Sequence, residues 1–221
     1  MKQNIMKALL IYSGGLDSTT LLNEYREDIK IALTFDYGSK HNAKEIACAE
    51  ENCRILGIRH IVVPLDFIGR YFRSGLLKGG EEIPDGRYDD ENMKVTVVPF
   101  RNGIMLAVAA GFAESYDLDT VLIANHSGDH AIYPDCRPEF IEAFDAAAHA
   151  GTYNGVRIVS PYCNISKREI ALRGRKMGID YSRTWSCYKG GDVHCGRCGT
   201  CTERKEALEG FDDTVYEHCD D

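Results

Sequence analysis

Lys7-Ala8-Leu9-Leu10-Ile11-Tyr12-Ser13-Gly14-Gly15-Leu16-Asp17-Ser18-Thr19 is the stretch that decides the fold. Ala8-Leu9-Leu10-Ile11 is a short, uniformly apolar run, the pattern of a parallel strand buried on both faces. From Ser18 onward, with Leu21 and Leu22, the residues read as a helix start. A strand, a tight Gly-Gly turn and a helix N-terminus make an anion cradle. Small residues let the backbone approach the charge, and the first N–H groups of a helix have no internal partner. Ser13, Ser18 and Thr19 add hydroxyl donors. The stretch has neither the G-x-x-x-x-G-K-[ST] nor the G-x-G-x-x-G pattern, so it is neither a Walker A loop nor a dinucleotide fingerprint. An ordinary Gly turn with a Ser cap is the plainer alternative.

Strand and helix periods alternate on both sides of the core. Ile29–Asp36 reads as a second strand, and Asn42–Leu56 as a helix closed by Gly57. His60–Pro64, Thr120–Ala124 and Val156–Val159 read as further strands. Arg101–Tyr116 is apolar on nearly every face and predicts a deeply buried helix. Pro138–Ala148 predicts a helix opened by Pro, and Ser166-Lys167-Arg168-Glu169 starts another with a capping box. Strands separated by helices imply parallel βαβ units and a three-layer α/β fold. Asp66–Lys94, rich in Gly and charge, has no clear period. A mobile lid, a subunit contact and a solvent-facing insertion are the alternatives there.

The chain has 221 residues, 44% hydrophobic and 10% aromatic, which suits one domain with a small appendage. The net charge of −8 and the lack of a basic block weigh against direct nucleic-acid binding, though not against a small nucleotide. Met1-Lys2-Gln3-Asn4-Ile5 leads straight into the first strand and leaves no room for a signal peptide. No apolar run approaches the roughly 18 residues of a membrane span. A cytoplasmic location, with no membrane partner, is expected.

In open α/β sheets ligands bind beyond the carboxyl ends of the strands. The Ser13 loop, Asp36-Tyr37-Gly38, Asn125–His130 and Pro161–Lys167 all fall there. Asp36 is placed to flank an adenine or ribose; His126 and Asp129 either touch ligand or satisfy their own loop. Asp17 is the one acid inside the loop, so Mg²⁺ is expected between it and a phosphate, or else it caps the helix. Lys167 would neutralise a phosphate, or else faces solvent.

Of nine cysteines, Cys48, Cys53, Cys136, Cys163 and Cys219 are scattered. Cys187, Cys195, Cys198 and Cys201 form C-x7-C-x2-C-x2-C in a Gly-rich stretch. Four thiolates at this spacing close a tetrahedral Zn²⁺ site with no open position, hence a structural one. An Fe–S cluster is the main rival, redox cysteines a weaker one, and His194 a spare ligand.

Ser13-Gly14-Gly15-Leu16-Asp17-Ser18 resembles the S-G-G-x-D-S signature of the PP-loop ATP pyrophosphatases, which split ATP into AMP and pyrophosphate while adenylating a substrate. Val98-Pro99-Phe100-Arg101-Asn102, Tyr133-Pro134-Asp135-Cys136-Arg137, Ser160-Pro161 with Ser166-Lys167, and the four-cysteine knuckle extend the likeness. Together they resemble the 7-cyano-7-deazaguanine (preQ0) synthase family, from Leu9 to about Glu206. Leu16 stands where many members carry Gln.

The resemblance implies an α/β, three-layer Rossmann-like parallel sheet of the adenine nucleotide alpha hydrolase type. Residues 1–184 would form the nucleotide-binding domain, and 185–221 a zinc knuckle and tail packed on it. It implies a C–N ligase making 7-cyano-7-deazaguanine, a queuosine and archaeosine precursor, from 7-carboxy-7-deazaguanine, ammonia and ATP, with Mg²⁺ beside the ATP and structural Zn²⁺. Tyr12, Ser13, Gly14, Gly15, Leu16, Asp17, Ser18, Thr19 and Asp36 would hold ATP, with Ser13, Asp17 and Lys167 catalytic. Arg101, Asn102, Asp135 and Arg137 would hold the substrate: Asp135 on the N–H donors of the ring, Arg101 or Arg137 on the carboxylate. Asp135 and Arg137 as a helix-entry pair before Pro138 are the plainer reading. A homodimer is left open. Other PP-loop amide ligases, tRNA sulfur transferases, a relative modifying protein or DNA, and a zinc-stabilised nucleotide-binding regulator are the alternatives.

Overall fold

Five parallel strands build the central sheet: β1 (Ala8–Ile11), β2 (Ile29–Asp36), β3 (Arg59–Pro64), β4 (Thr120–Leu122) and β5 (Arg157–Val159), in the order β3-β2-β1-β4-β5. The computed structural model describes residues 6–218, so the expectation for Met1–Ile5 lies outside the described residues. From β1 the chain steps outward through β2 to β3, then returns to the far side of β1 for β4 and β5. The winding reverses between β1 and β4, and a crevice opens there beyond the strand ends.

The helices are α1 (Leu16–Glu24), α2 (Asn42–Leu56), α3 (Asp66–Tyr71), α4 (Arg101–Ser115), α5 (Pro138–Gly151), α6 (Lys167–Lys176) and α7 (Gly199–Ala207). Successive β1 side chains point to opposite faces. Leu9 joins Leu33, Val121 and Ile158 under α4 and α5, whose Leu106, Ala109 and Ile141 complete that layer. Ala8 and Leu10 join the layer of α1, α2 and α6 through Leu21, Leu22, Ala49, Cys53 and Ile170. Fully buried Ala8, Leu9 and Leu10 fit the continuous apolar run that marked β1.

Local chemistry sets the element ends. α2 stops at Gly57, whose φ of +66° is left-handed, and Ile58 N–H returns to Cys53 O at 3.0 Å. At α6, Ser166 Oγ accepts from Glu169 N–H while the Glu169 carboxylate accepts from Ser166 N–H at 2.8 Å, a closed capping box. α1 begins at Leu16 rather than Ser18, and β4 and β5 are shorter than their apolar runs.

The segment Asp66–Lys94 is not a solvent-facing insertion. It contains α3, and Ile68, Leu76, Leu77, Ile83 and Met93 are buried. Single bridges tie Leu77 to Ser39 and Asp85 to Cys198. Trp185 and the four clustered cysteines pack into the same apolar layer as Leu9 and Phe35.

Candidate active site

A cavity of about 210 Å³ occupies the crevice between β1 and β4. Its floor is the loop after β1. Gly14 has φ +81°, and a Cβ there would lie 2.4 Å from Glu45 O and 3.0 Å from Ala49 N, so the loop rests directly on α2. Gly15 precedes α1, and its N–H donates to Ser13 Oγ at 3.2 Å. Ser13 Oγ and Ser18 Oγ stand 3.0 Å apart. Tyr12, Ser13, Gly15, Leu16, Asp17 and Ser18 all line the cavity. Thr19 does not: its hydroxyl pairs with Tyr12 OH at 3.0 Å in the core, so it is no donor to the cavity.

One wall carries a charged cluster assembled from four separate parts of the chain. Lys167 Nζ, at the start of α6, lies 3.0 Å from Asp17 Oδ2 and 2.8 Å from Glu203 Oε2 on α7. His126 Nδ1 accepts from Gly128 N–H at 3.1 Å, so in the neutral ring the proton sits on Nε2. That nitrogen faces Asp129 Oδ1 at 3.6 Å, Glu203 Oε1 at 3.8 Å and Asp17 Oδ2 at 3.9 Å. Asp129 in turn accepts from His126 N–H at 2.9 Å and from Tyr88 OH at 2.8 Å. Burial works against the charge on Lys167, but Asp17, Glu203 and Asp129 outweigh it and hold its pKa well above the ordinary lysine value. Burial raises Glu203; for Asp129 burial is outweighed by His126 and Lys167, and its pKa falls. Asp17 Oδ1 is buried without a hydrogen-bond partner, an orphaned oxygen that suits a cation.

A second group of residues lining the cavity is aromatic and polar. Arg101 Nη1, at the start of α4, donates to Tyr37 OH at 3.3 Å. His41 stacks on Tyr188 with ring centres 5.2 Å apart, and its Nε2 lies 3.6 Å from Glu45 Oε2 on α2. Burial, with Arg101 adding to it, lowers the His41 pKa to about 3. Burial pushes the Glu45 carboxyl up to about 8, with Arg101 pulling the other way. Ile11, Phe35, Met105, Ile123 and Ala124 supply the apolar lining.

The remaining expected ligands lie elsewhere. Asp36 turns back to accept from Gly38 N–H at 3.2 Å and does not line the cavity. Asp135 Oδ2 accepts from Asn102 N–H at 2.8 Å, serving an otherwise unpartnered N–H in the first turn of α4. Arg137 Nε donates to His130 O at 2.9 Å and braces the loop after β4. Both lie outside the cavity lining; Arg137 is the N-cap of α5, but no ion pair joins it to Asp135 among the described residues. Arg101 and Asn102 do line it, Asn102 Nδ2 reaching Cys136 Sγ at 3.0 Å. Tyr37 was marked only by its place in the rim stretch after β2. His41, Glu45, Tyr88, Tyr188 and Glu203 carried no sequence signal that separated them from surface residues, beyond the position of Glu203 two residues after Cys201.

Cys187, Cys195, Cys198 and Cys201 are buried, with sulfurs all within 4.8 Å of one another. Cys195 Sγ and Cys201 Sγ are 3.9 Å apart, close to the roughly 3.8 Å edge of a tetrahedron built on 2.3 Å metal–sulfur bonds. Backbone N–H groups of Arg197 (3.5 Å) and Cys198 (3.3 Å) point at Cys195 Sγ, and that of Cys195 at Cys187 Sγ (3.4 Å), as thiolates require. His194 accepts from Ser186 N–H at 3.1 Å and packs on Trp185, so it is occupied outside the thiol set. The four cysteines form a set that could hold a metal.

The family model for queuosine biosynthesis protein QueC matches residues 7–212. The chain belongs to the QueC family. Two relatives, both named 7-cyano-7-deazaguanine synthase, are similar over nearly their whole lengths. The protein of Porphyromonas gingivalis (strain ATCC 33277) is 60% identical over 213 residues, 95% of this chain and 97% of its own. That of Desulfotalea psychrophila is 52% identical over 217 residues, 96% and 99% of the two chains. Among solved structures, this QueC-family chain shares its fold with NMN synthetase from Francisella tularensis. The TM-score is 0.52 at 13% identity, covering 96% of this chain and 80% of that one. It likewise resembles the U34-tRNA thiolase NcsA from Methanococcus maripaludis, solved with its [4Fe-4S] cluster. That match has TM-score 0.52 at 20% identity and covers 81% of this chain and 59% of the thiolase. No helix among the described residues of this QueC-family chain is long and apolar enough to cross a membrane.

Proposed function

We propose that this chain is a 7-cyano-7-deazaguanine synthase that uses ATP and ammonia to turn the carboxylate of 7-carboxy-7-deazaguanine into a nitrile. The observation that carries the reading is the meeting of Asp17, in the loop after β1, with Lys167, opening the helix after β5, across the crevice of the sheet. That pairing supports the reading, because a cation beside an anion cradle at this rim suits ATP phosphates.

A carboxylate does not react with ammonia directly, because its oxygen is a poor leaving group. Its attack on the α-phosphorus of ATP gives an acyl adenylate and pyrophosphate. Ammonia then adds to the carbonyl carbon, AMP leaves, and a primary amide results. A second ATP adenylates the amide oxygen; loss of AMP and two N–H protons leaves the C≡N bond. None of these steps needs a protein nucleophile, so positioning and charge neutralisation supply the catalysis. The N–H of Gly15 and the hydroxyls of Ser13 and Ser18 would hold phosphate oxygens, and Lys167 would swing from Asp17 to the developing pyrophosphate charge. Mg²⁺ would sit against the orphaned Asp17 Oδ1, where it supplies charge neutralisation for the phosphates. Zn²⁺ fits the four closed thiolates, with a structural role.

The test is incubation with ATP, Mg²⁺, ammonium and 7-carboxy-7-deazaguanine. Mass spectrometry should show the nitrile, with two AMP and two pyrophosphate formed per product. Nucleotide binding without AMP would instead favour a regulator that only binds, and the synthase reading would fall.

A further inference from the structure

The reading above leaves the recognition of the ring open, and Asp135 is held by Asn102 N–H outside the cavity. We infer that Glu45 reads the donor edge of the 7-carboxy-7-deazaguanine ring, with Arg101 opposite the ring carbonyl. This inference rests on the synthase reading.

A guanine-like edge presents an exocyclic amine and a ring N–H side by side, followed by a carbonyl oxygen. Its complement is one ionised carboxylate that accepts both donors and one cation that donates to the oxygen. Glu45, which burial keeps protonated in the ligand-free protein, gives up its proton when the two ring donors arrive, with Arg101 favouring the charged form. Asp17, Glu45 and Asp129 are the carboxylates lining the cavity. Asp17 holds Lys167, and both Asp129 oxygens are already bonded. The Glu45 carboxylate has no hydrogen bond among the described residues; His41 Nε2 lies 3.6 Å from Oε2. The Arg101 guanidinium donates only to Tyr37 OH and has no carboxylate within 4.0 Å among the described residues, so most of its five donors are unused.

A third group points the same way. His41 is 2% exposed, and its Nδ1 has no hydrogen-bond partner. An acceptor, a cation and an imidazole left unsatisfied around one cavity are costly in the empty protein, and a ligand presenting both donors and acceptors relieves the cost. Tyr37 and Tyr188 line the same part of the cavity, Tyr37 beneath Arg101 and Tyr188 stacked on His41. The same geometry discriminates between the two purine-like rings that must share this cavity. An adenine edge sets one amine beside a ring nitrogen that only accepts, so one Glu45 oxygen would face a lone pair. Glu45 therefore keeps the adenine of ATP out of the deazaguanine position.

The experiment compares wild type and Glu45→Gln on 7-carboxy-7-deazaguanine and on the analogue lacking the exocyclic amine, with KM and kcat read separately by pyrophosphate release and nitrile formation. Glu45→Gln should raise KM for the parent about 10–100-fold, the size of a lost charge-assisted pair, with KM for ATP unchanged. Wild type should disfavour the analogue by a similar factor, and Glu45→Gln should treat the two nearly alike. Glu45→Asp, which keeps the charge one methylene back, should recover part of the preference; it also serves if Glu45→Gln melts early. If wild type makes the nitrile while Glu45→Gln or Glu45→Asp keeps both the parent KM and full discrimination, the inference is overturned and the synthase reading stands. If wild type makes no nitrile, it is the synthase reading that fails.

Discussion

Lys167 Nζ lies 2.8 Å from Glu203 Oε2, and Glu203 stands two positions beyond Cys201 on α7. The helix that carries the last thiol therefore also supplies an ion partner to the lysine that opens α6. Its seat is fixed by Arg204, fully buried, which donates to Thr184 Oγ1 at 2.8 Å, Ser186 Oγ at 3.0 Å, Thr214 Oγ1 at 2.9 Å and the Tyr181 carbonyl at 2.6 Å. A metal in the thiol set would thus hold one wall of the cavity in register.

Metal analysis of the purified protein should give about one zinc per chain and no visible cluster absorbance. Chelation should lower Tm and speed amide exchange through Cys187–Arg204, because structural zinc is worth roughly 10–16 kcal/mol in small peptides. Iron with sulfide would replace this account with a cluster.

Asp17→Asn should cut turnover about 10²–10³-fold, the usual loss for one preorganised electrostatic contact, with Tm nearly unchanged. The side chain faces the cavity rather than the apolar layers, so a large drop in Tm with normal turnover would contradict its placement at the phosphates.

Much of this was legible beforehand, and the reasons are local. β1 and its loop were marked by an apolar run meeting Gly14-Gly15, and α6 by the reciprocal pair Ser166 and Glu169. α3 was invisible because six residues with Gly69 inside them show no full helical period. Glu45 and Glu203 sit in charged helical stretches that look the same whether a carboxylate meets water or a cavity. Asp135 and Arg137 show the converse. Their motif was recognisable, but sequence does not reveal that Asn102 N–H and His130 O hold their side chains.

Gly14→Ala should destabilise the protein by about 1–3 kcal/mol from the left-handed backbone alone. The added Cβ would also drive into Glu45 O on α2. Chemical denaturation should show the loss. An unchanged midpoint would mean that the loop does not rest on α2 in solution.

Stability should also depend on pH through Glu45 and His41, which face each other, Arg101 from α4 and Tyr188. Glu45 titrates near 8 in the fold against an ordinary 4.5, so the folded state binds the extra proton. Its contribution is full below about 4.5 and is lost as pH rises through 8. His41 titrates near 3 against 6.5, so its contribution is present above 6.5 and is lost as pH falls toward 3. Between pH 6.5 and 8, of these two groups only Glu45 contributes a slope. Ligand-free Tm should fall across that window, and Glu45→Gln should flatten the fall; an equal slope in both proteins would refute the assignment.

The order in which the cavity is made has a consequence during translation. The phosphate loop at Ser13–Ser18 leaves the ribosome first, whereas Trp185, Ser186, Tyr188, Thr200 and the Lys167 partner Glu203 emerge near the end. A nascent chain carries the loop proposed to hold nucleotide long before it has the later residues that line the same cavity. On the proposed function, adenylation would wait for the knuckle, and a ribosome stalled before it would display a chain that lacks one wall of the cavity.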